Sequence, residues 1–267
     1  MHPKVSVLMG IYNCADTLAQ AVESIQNQTY TNWELILCED GSSDHTYEVA
    51  QALAAKDSRI VLLRNEKNLG LNATLNRCLG AATGEYIARM DGDDDCMPER
   101  FETQVAFLEA HPEFQIVSSA MTLFDETGEW GRAVCPEYPR PEDTVGGTAF
   151  CHAAVLLKKS CMDEVGGYTE DPRMLRVEDV NLWIKLYAAG YRGYNIQRPL
   201  YRMRNDQNAL NRRKYVYRIN STYVRLQGCR MLKLGPKSYC RAFVPMINGL
   251  VPAKLRQFIR KRQRRTV

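Results

Sequence analysis

The 267-residue sequence predicts an α/β fold around a mostly parallel central sheet, and three observations predict it. Short β-branched and apolar runs alternate with helix-length amphipathic segments through the first half. The runs are compact and apolar, the pattern of parallel β-α-β units with both faces covered. Polar clusters follow the runs, where open parallel sheets bind ligands beyond the carboxyl ends of their strands.

The elements follow in order. "KVSVLMG" (Lys4 to Gly10) is a strand. "DTLAQAVESIQNQ" (Asp16 to Gln28) carries Leu18, Val22 and Ile25 at helical spacing, with Asp16 as its expected N-cap. "WELILCE" (Trp33 to Glu39) is a second strand, closed by the turn "DGSSD". A helix over 46–56 leads to the strand "RIVLLRN". The turn "NLG" then precedes a helix over 71–83, and "EYIARM" is the fourth strand. Beyond Pro98 a helix spans 99–111 and a strand 114–124. Residues 125–148, rich in Pro and Gly, are expected to be irregular. A strand at 153–159, the turn "VGGY", a helix over 177–190 with Trp183 on its apolar face, and a strand near 194–196 complete the body. From Asn205 the chain reads as helical and basic. The domain division expected is 1–204 for the α/β unit and 205–267 for a basic helical extension.

Composition bounds the function. Hydrophobic content of 45% supports a sizeable core. Nine cysteines occur singly and in odd number, so neither a disulfide framework nor a zinc site is expected, and a reducing cytosol is. There is no apolar leader and no run of about 18 apolar residues, so no membrane span is expected. The net charge of +4 hides a division: residues 1–180 hold 14 basic against 30 acidic side chains, and the remainder 21 against 1. An acidic, cation-binding body and a basic end for an anionic partner follow from that asymmetry.

Four clusters carry chemistry. "MDGDDD" (Met90 to Asp95) puts four carboxylates in five positions. It is either a solvated acidic loop or a site for Mg²⁺ or Mn²⁺, which take carboxylates together with substrate phosphates. Its place at the end of an apolar strand favours the metal, with Asp94 in support and Asp95 as a cap or turn residue. Asp40, after the second strand, is either a helix cap or an acceptor for a base N–H or ribose hydroxyl. Glu178 and Asp179 are either helpful acids in a helix's first turn or a general base. His152 is either a structural hydrogen-bonder or, with Trp183, part of an acceptor site.

In order, "VSVLMGIYN", "ILCEDGSSD", "NLGLNATLN", "EYIARMDGDDDCMPERFETQ", "VGGY" and "VEDVNLWIKL" resemble an inverting family 2 glycosyltransferase of the GT-A type, bacterial cell-surface polysaccharide kind, over residues 4–203. The resemblance implies a Rossmann-like GT-A nucleotide-sugar-binding domain and transfer of a sugar, a UDP-hexose by family frequency, to a glycan hydroxyl. It implies that Gly10, Ile11, Tyr12 and Asp40 hold the nucleotide, that Asp91 and Asp93 form the metal-diphosphate motif with Mn²⁺ or Mg²⁺, and that Asp179, beside Glu178, deprotonates the acceptor. Two departures stand out. Gly10-Ile11 replaces the usual Pro-Thr before Tyr-Asn, and Leu75-Asn76 replaces Arg-Asn. The Gln-x-x-Arg-Trp motif of processive members is absent, so one sugar per encounter is expected.

The end of the chain, "VPAKLRQFIRKRQRRTV", places Leu255, Phe258 and Ile259 on one side of a basic helix. That pattern reads as an anchor for an anionic membrane surface rather than for nucleic acid. With the resemblance, it implies a polyprenyl-diphosphate-linked acceptor at the inner face of the cytoplasmic membrane. Two other classes compete. A nucleotidyltransferase would carry a basic Gly-rich loop after its first strand, which "GIYNCADT" is not. A non-catalytic basic module would leave Asp40, Asp91 and Asp179 without a task.

Overall fold

A computed structural model describes residues 2–205 and 215–250. The first half follows the alternation. Strand β1 (Val5–Ile11) leads to α1 (Ala15–Gln26), β2 (Trp33–Glu39) to α2 (Thr46–Ala54), and β3 (Ile60–Arg64) to α3 (Leu71–Ala81). Then come β4 (Tyr86–Arg89), a two-residue β5 (Asp95–Cys96), α4 (Arg100–Ala110), β6 (Ile116–Asp125), β7 (Gly128–Ala133) and α5 (Pro141–Gly146). A 3₁₀ turn at His152–Ala154 precedes β8 (Leu156–Lys158) and α6 (Lys159–Glu164). A second at Pro172–Met174 precedes α7 (Glu178–Ala188) and β9 (Gly193–Arg204). Helices α8 (Val216–Met231), α9 (Pro236–Ala242) and α10 (Val244–Leu250) close the described chain.

The strands form one sheet in the order β3-β2-β1-β4-β8-β6-β9-β5, with β7 paired to β6. Strands β1 to β4, β6 and β9 run in one direction; β5, β7 and β8 oppose them. The mostly parallel sheet read from the sequence is therefore present. Alternation along the strands divides the core. Val5, Val7, Met9 and Ile11 face one layer with α1 and α4, whereas Leu8, Ile36 and Cys38 face the other with α3 and α7. Both faces are covered, which is why these strands read as unbroken apolar runs. Each fully buried aliphatic side chain contributes about 1.5–3 kcal/mol.

Register positions the site. Ile11 pairs with Glu39 and Glu39 with Arg64, so the loops after β1, β2 and β3 leave the sheet at the same edge. The fully buried Arg100 guanidinium donates to the carbonyls of Arg89 (2.9 Å), Ala153 (3.3 Å) and Val155 (3.2 Å), pinning the end of β4 beside β8.

Four local expectations are corrected. Residues 125–148 are not irregular: β7 pairs with β6, and its exposed side chains explain why it lacked an apolar pattern. Pro141 at the first helical turn and left-handed Gly147 bound α5. The strand expected over 153–159 begins as a 3₁₀ turn and shortens to three residues. Cys14, not Asp16, is the N-cap of α1, because Asp44 reaches across to accept from the Ala15 N–H at 3.2 Å. Asp95 is not a cap but a strand residue, bonded to Arg202 (3.2 Å) and Gln20 (3.1 Å).

The described residues beyond Asn205 pack on the body. Val224 and Cys229 of α8 share a core with Val145 of α5 and with Val180 and Ile184 of α7. No helix among the described residues is long and apolar enough to cross a membrane. The amphipathic pattern expected over 251–267 lies outside the described residues.

Candidate functional site

Two cavities open at the carboxyl edge of the parallel strands, and they share Gly10 and Tyr12. The larger, about 400 Å³, is lined by the β1 loop (Tyr12 to Thr17), Asp44, Asp91 to Asp93, and Arg204. The smaller, about 250 Å³, takes in Ile11, Asp40, Asn68, the start of α3, and Leu175, Arg176 and Glu178 before and within α7. The loops after β1 and β2 are cross-linked. Asn13, in a left-handed conformation (φ 48°), accepts from the Ser43 N–H at 2.9 Å, and the Cys14 N–H donates to the Thr46 hydroxyl at 2.8 Å. Tyr12 is thereby left 50% exposed, its ring available to a ligand.

Asp91, Asp93 and Asp94 bring one carboxylate oxygen each to within 4.8 Å of one another. Asp91 pairs with buried Arg89. Asp94 is buried and accepts from the Tyr201 hydroxyl (2.8 Å) and the Arg204 N–H (2.7 Å). Asp93 stands at the mouth of the larger cavity. Loss of surrounding water and then the Asp91 charge push the Asp93 carboxyl above its ordinary value, and the same causes, with Asp93 added, raise Asp94 further. These groups oppose one another's ionisation, and an added cation relieves that. Gly92 admits the loop to this position: a Cβ there would stand 2.9 Å from Cys14 Sγ and 3.1 Å from Ile11. The Thr17 hydroxyl fixes it by donating to the Gly92 carbonyl at 2.8 Å.

Asp40, 4% exposed, is committed to the fold of its own pocket. It accepts from Asn65 Nδ2 (2.7 Å) and from the N–H groups of Leu69 (2.8 Å) and Gly70 (2.9 Å). It shapes the 65–70 loop that walls the smaller cavity. Gly41 (φ 70°) lets that loop approach, since a Cβ there would lie 2.6 Å from the Asn68 nitrogen.

Glu178 and Asp179 open α7, and Glu178 lines the smaller cavity. Burial first and Asp179 second raise the Glu178 carboxyl from its usual value. His152 is placed elsewhere. Its Nε2 is 2.8 Å from the Tyr168 hydroxyl, its ring is edge-on to Trp183, and burial followed by the Arg89 charge holds it well below the usual histidine range. Trp183 is 1% exposed, deep in the core. Neither residue lines a cavity. Leu75 is likewise a core residue, and Asn76 clamps the "VGGY" turn through Tyr168 N (2.8 Å) and Tyr168 O (2.8 Å).

Sequence reasoning missed Arg89, Tyr201, Arg204 and Arg176. Arg89 immediately precedes the acidic run, a local signal for a compensating cation. Tyr201 and Arg204 lie over a hundred residues downstream, where only the pairing of β9 with β5 brings them in. Arg176, at φ 66°, is a non-glycine residue held left-handed at the cavity wall.

The model of the family described as glycosyl transferase family 2 matches residues 6–219. A protein named as a glycosyltransferase, EpsE of Bacillus subtilis (strain 168), is 46% identical over 252 residues, covering 94% of this chain and 91% of its own. The Escherichia coli UDP-Glc:alpha-D-GlcNAc-diphosphoundecaprenol beta-1,3-glucosyltransferase WfaP is 27% identical, over 92% and 94% of the two chains. Among solved structures, S. aureus TarS 1-349 in complex with UDP-GlcNAc superposes with a TM-score of 0.73 at 15% identity, over 92% of this chain and 72% of that one. The mannosyltransferase PcManGT from Pyrobaculum calidifontis, in complex with GDP-Man and Mn2+, gives 0.63 at 18% identity, over 98% and 79%. These two likenesses establish the GT-A architecture.

Proposed function

The chain belongs to glycosyl transferase family 2, and from that premise we propose that it moves a hexose from a UDP-sugar, with inversion, to a hydroxyl of a lipid-linked glycan in surface polysaccharide synthesis. One observation carries the reading. Asp91 and Asp93 of the acidic triad line one, and Glu178, next to Asp179, lines the other, of two cavities that meet at Gly10 and Tyr12. A donor laid across Tyr12 would have its base against Gly10, Ile11 and Asp40, and its diphosphate over Asp91 and Asp93.

A divalent cation fits the triad, whose three convergent carboxylates are the oxygen donors that Mn²⁺ and Mg²⁺ take. When bound, such an ion neutralises charge gathering on the departing diphosphate. Asp93 is the proposed direct ligand, Asp91 its partner, and Asp94 the buried group that fixes the loop. Inversion requires the acceptor oxygen to attack opposite the leaving group and to lose a proton as it does. By the family resemblance Asp179 is the proposed base, with Glu178, whose carboxyl is raised by burial and by the Asp179 charge, beside it.

The acceptor assignment draws on WfaP, which is named for a diphosphoundecaprenol-linked acceptor. The described carboxy-terminal helices support a membrane location. Val216 and Ile219 of α8, Phe243 just before α10, and Val244 and Ile247 of α10 are all exposed. Residues 215–250 hold six cations (Arg218, Arg225, Arg230, Lys233, Lys237, Arg241) and no acid. Apolar side chains beside cations suit the inner, anionic leaflet.

The test is a thermal-shift panel of UDP-, GDP- and dTDP-sugars with and without Mn²⁺. Stabilisation by UDP-sugars that requires Mn²⁺ is expected, about 2.7 kcal/mol at a hundredfold excess over Kd. Indifference to every donor in both conditions overturns the proposal.

A further inference from the structure

Helix α8, in the part of the chain expected to be a basic helical extension, packs against α7. Its Arg225 runs from the surface toward the start of α7. The guanidinium sits in a notch that exists because position 147 is glycine: a Cβ on Gly147 would lie 2.9 Å from Arg225 Nη2, 3.8 Å from its Cζ and 3.4 Å from Val180 Cγ2. Gly147 is left-handed (φ 72°), so its bare Cα faces the arginine as part of the stop of α5. The Ser221 hydroxyl, one turn back on α8, accepts from Arg225 Nε at 3.1 Å and aims the side chain. Val180, whose Cγ2 borders the same notch, directly follows Asp179.

We propose that Arg225 is a positioning residue for the acceptor base: seated between Gly147 and Val180, it holds the Asp179 carboxylate charged and oriented, so that α8 completes the acceptor side of the site. This rests on the assignment of Asp179 as base. Charged and titratable groups reach Asp179 from several elements. Glu178 is its neighbour on α7, Tyr168 approaches from the turn after α6, and Cys135 from the segment before α5. Arg225 is the cation that α8 adds. Arg89 and Arg176 act on the neighbouring Glu178. A half-buried guanidinium has lost much of its water, and Asp179 is the group whose charge compensates it. The arrangement also explains why the core shared by α5, α7 and α8 is tight. Gly228, one turn beyond Arg225, leaves room for Ile184, whose Cδ1 lies 2.5 Å from where a Cβ would stand.

The experiment follows the carboxyl signal of Asp179 by NMR in the full chain labelled with ¹³C-aspartate, assigned by its loss in Asp179→Asn. Arg225→Gln is expected to move the Asp179 titration upward by about one pH unit, since an opposite charge within reach lowers a carboxyl by one unit or more. Arg225→Lys is expected to recover most of that shift. Ser221→Ala, which deletes one hydrogen bond and spares the fold, is expected to give a smaller shift of the same sign. Should Arg225→Gln not fold, the Ser221→Ala and Arg225→Lys titrations decide the question. An Asp179 titration that is unchanged in every folded variant overturns the proposal. The base assignment fails on a different result, full sugar transfer by Asp179→Asn, so the two failures are separable.

Discussion

Tyr201 and Asp94, 107 positions apart, meet in a buried 2.8 Å hydrogen bond, and the same hydroxyl accepts from the Asp91 N–H at 3.2 Å. One phenol therefore ties β9 to both ends of the acidic loop. Tyr201→Phe keeps the ring and removes the bridge. A buried carboxylate that loses a donor costs about 1–3 kcal/mol. Urea unfolding is expected to report a loss in that range, with the m-value unchanged. A variant as stable as the parent would show that the loop does not depend on β9.

Asp93→Asn and Asp179→Asn are expected to abolish sugar transfer, each by at least about 10²-fold, for different reasons. The first removes a charge from the cation site. The second removes the proton acceptor, an effect of about 10²–10⁴-fold. Asp93 is exposed, so Asp93→Asn should change the melting temperature little, whereas Asp179→Asn also removes the charge that compensates Arg225 and should lower it. A donor-binding assay separates them: Asp93→Asn loses Mn²⁺-dependent stabilisation by UDP-sugar, and Asp179→Asn keeps it. Full turnover by either variant removes that residue from the mechanism.

The parallel half of the fold was legible because its determinants are local. Apolar runs such as Val5 to Ile11 and capping turns such as Asp40 to Asp44 carry their own signals, and parallel topology then gathers their ends. Strand β7 was not legible, because an exposed edge strand lacks the apolar alternation that a half-buried one shows. Of the residues that line the two cavities, Asp91, Asp93 and Glu178 stand out in the sequence by charge and position. Trp183 was read toward the acceptor from its helix face, but that face packs inward against Phe150. Arg225 and Tyr201 could not be found at all, because their roles depend on pairings that no short stretch encodes.

Glu34 gives the fold a defined acid dependence. Burial pushes its carboxyl up, but hydrogen bonds from Lys4 (2.6 Å), Ser6 (2.6 Å) and Thr83 (2.7 Å) together outweigh that and bring it down to about 2. A folded-state value below the unfolded one contributes stability at all pH above about 4.5, and loses it as pH falls toward 2. The contribution is about 3 kcal/mol at neutral pH. Glu34→Gln is expected to be less stable than the parent by roughly that amount at pH 7, with the gap closing between pH 4.5 and 2 in urea unfolding. A gap that is constant with pH would mean that the clamp works through shape rather than charge.

The exposed face of α8 and α10 makes the membrane reading testable without truncation. Ile219 and Ile247 are 47% and 58% exposed, so replacing both with glutamate should leave the fold intact. Each large apolar side chain inserted in lipid is worth about 1.5–3 kcal/mol, and each cation near an anionic leaflet about 1 kcal/mol. The full chain is expected to co-sediment with phosphatidylglycerol vesicles, weakly with phosphatidylcholine, and less in high salt. Ile219→Glu with Ile247→Glu is expected to weaken binding at least tenfold. Replacing Arg262, Arg264 and Arg265 with glutamine tests the terminal basic run separately. If only the second set releases the protein, the terminal run is the anchor and the α8–α10 face is not. If neither does, the protein reaches its acceptor without this surface.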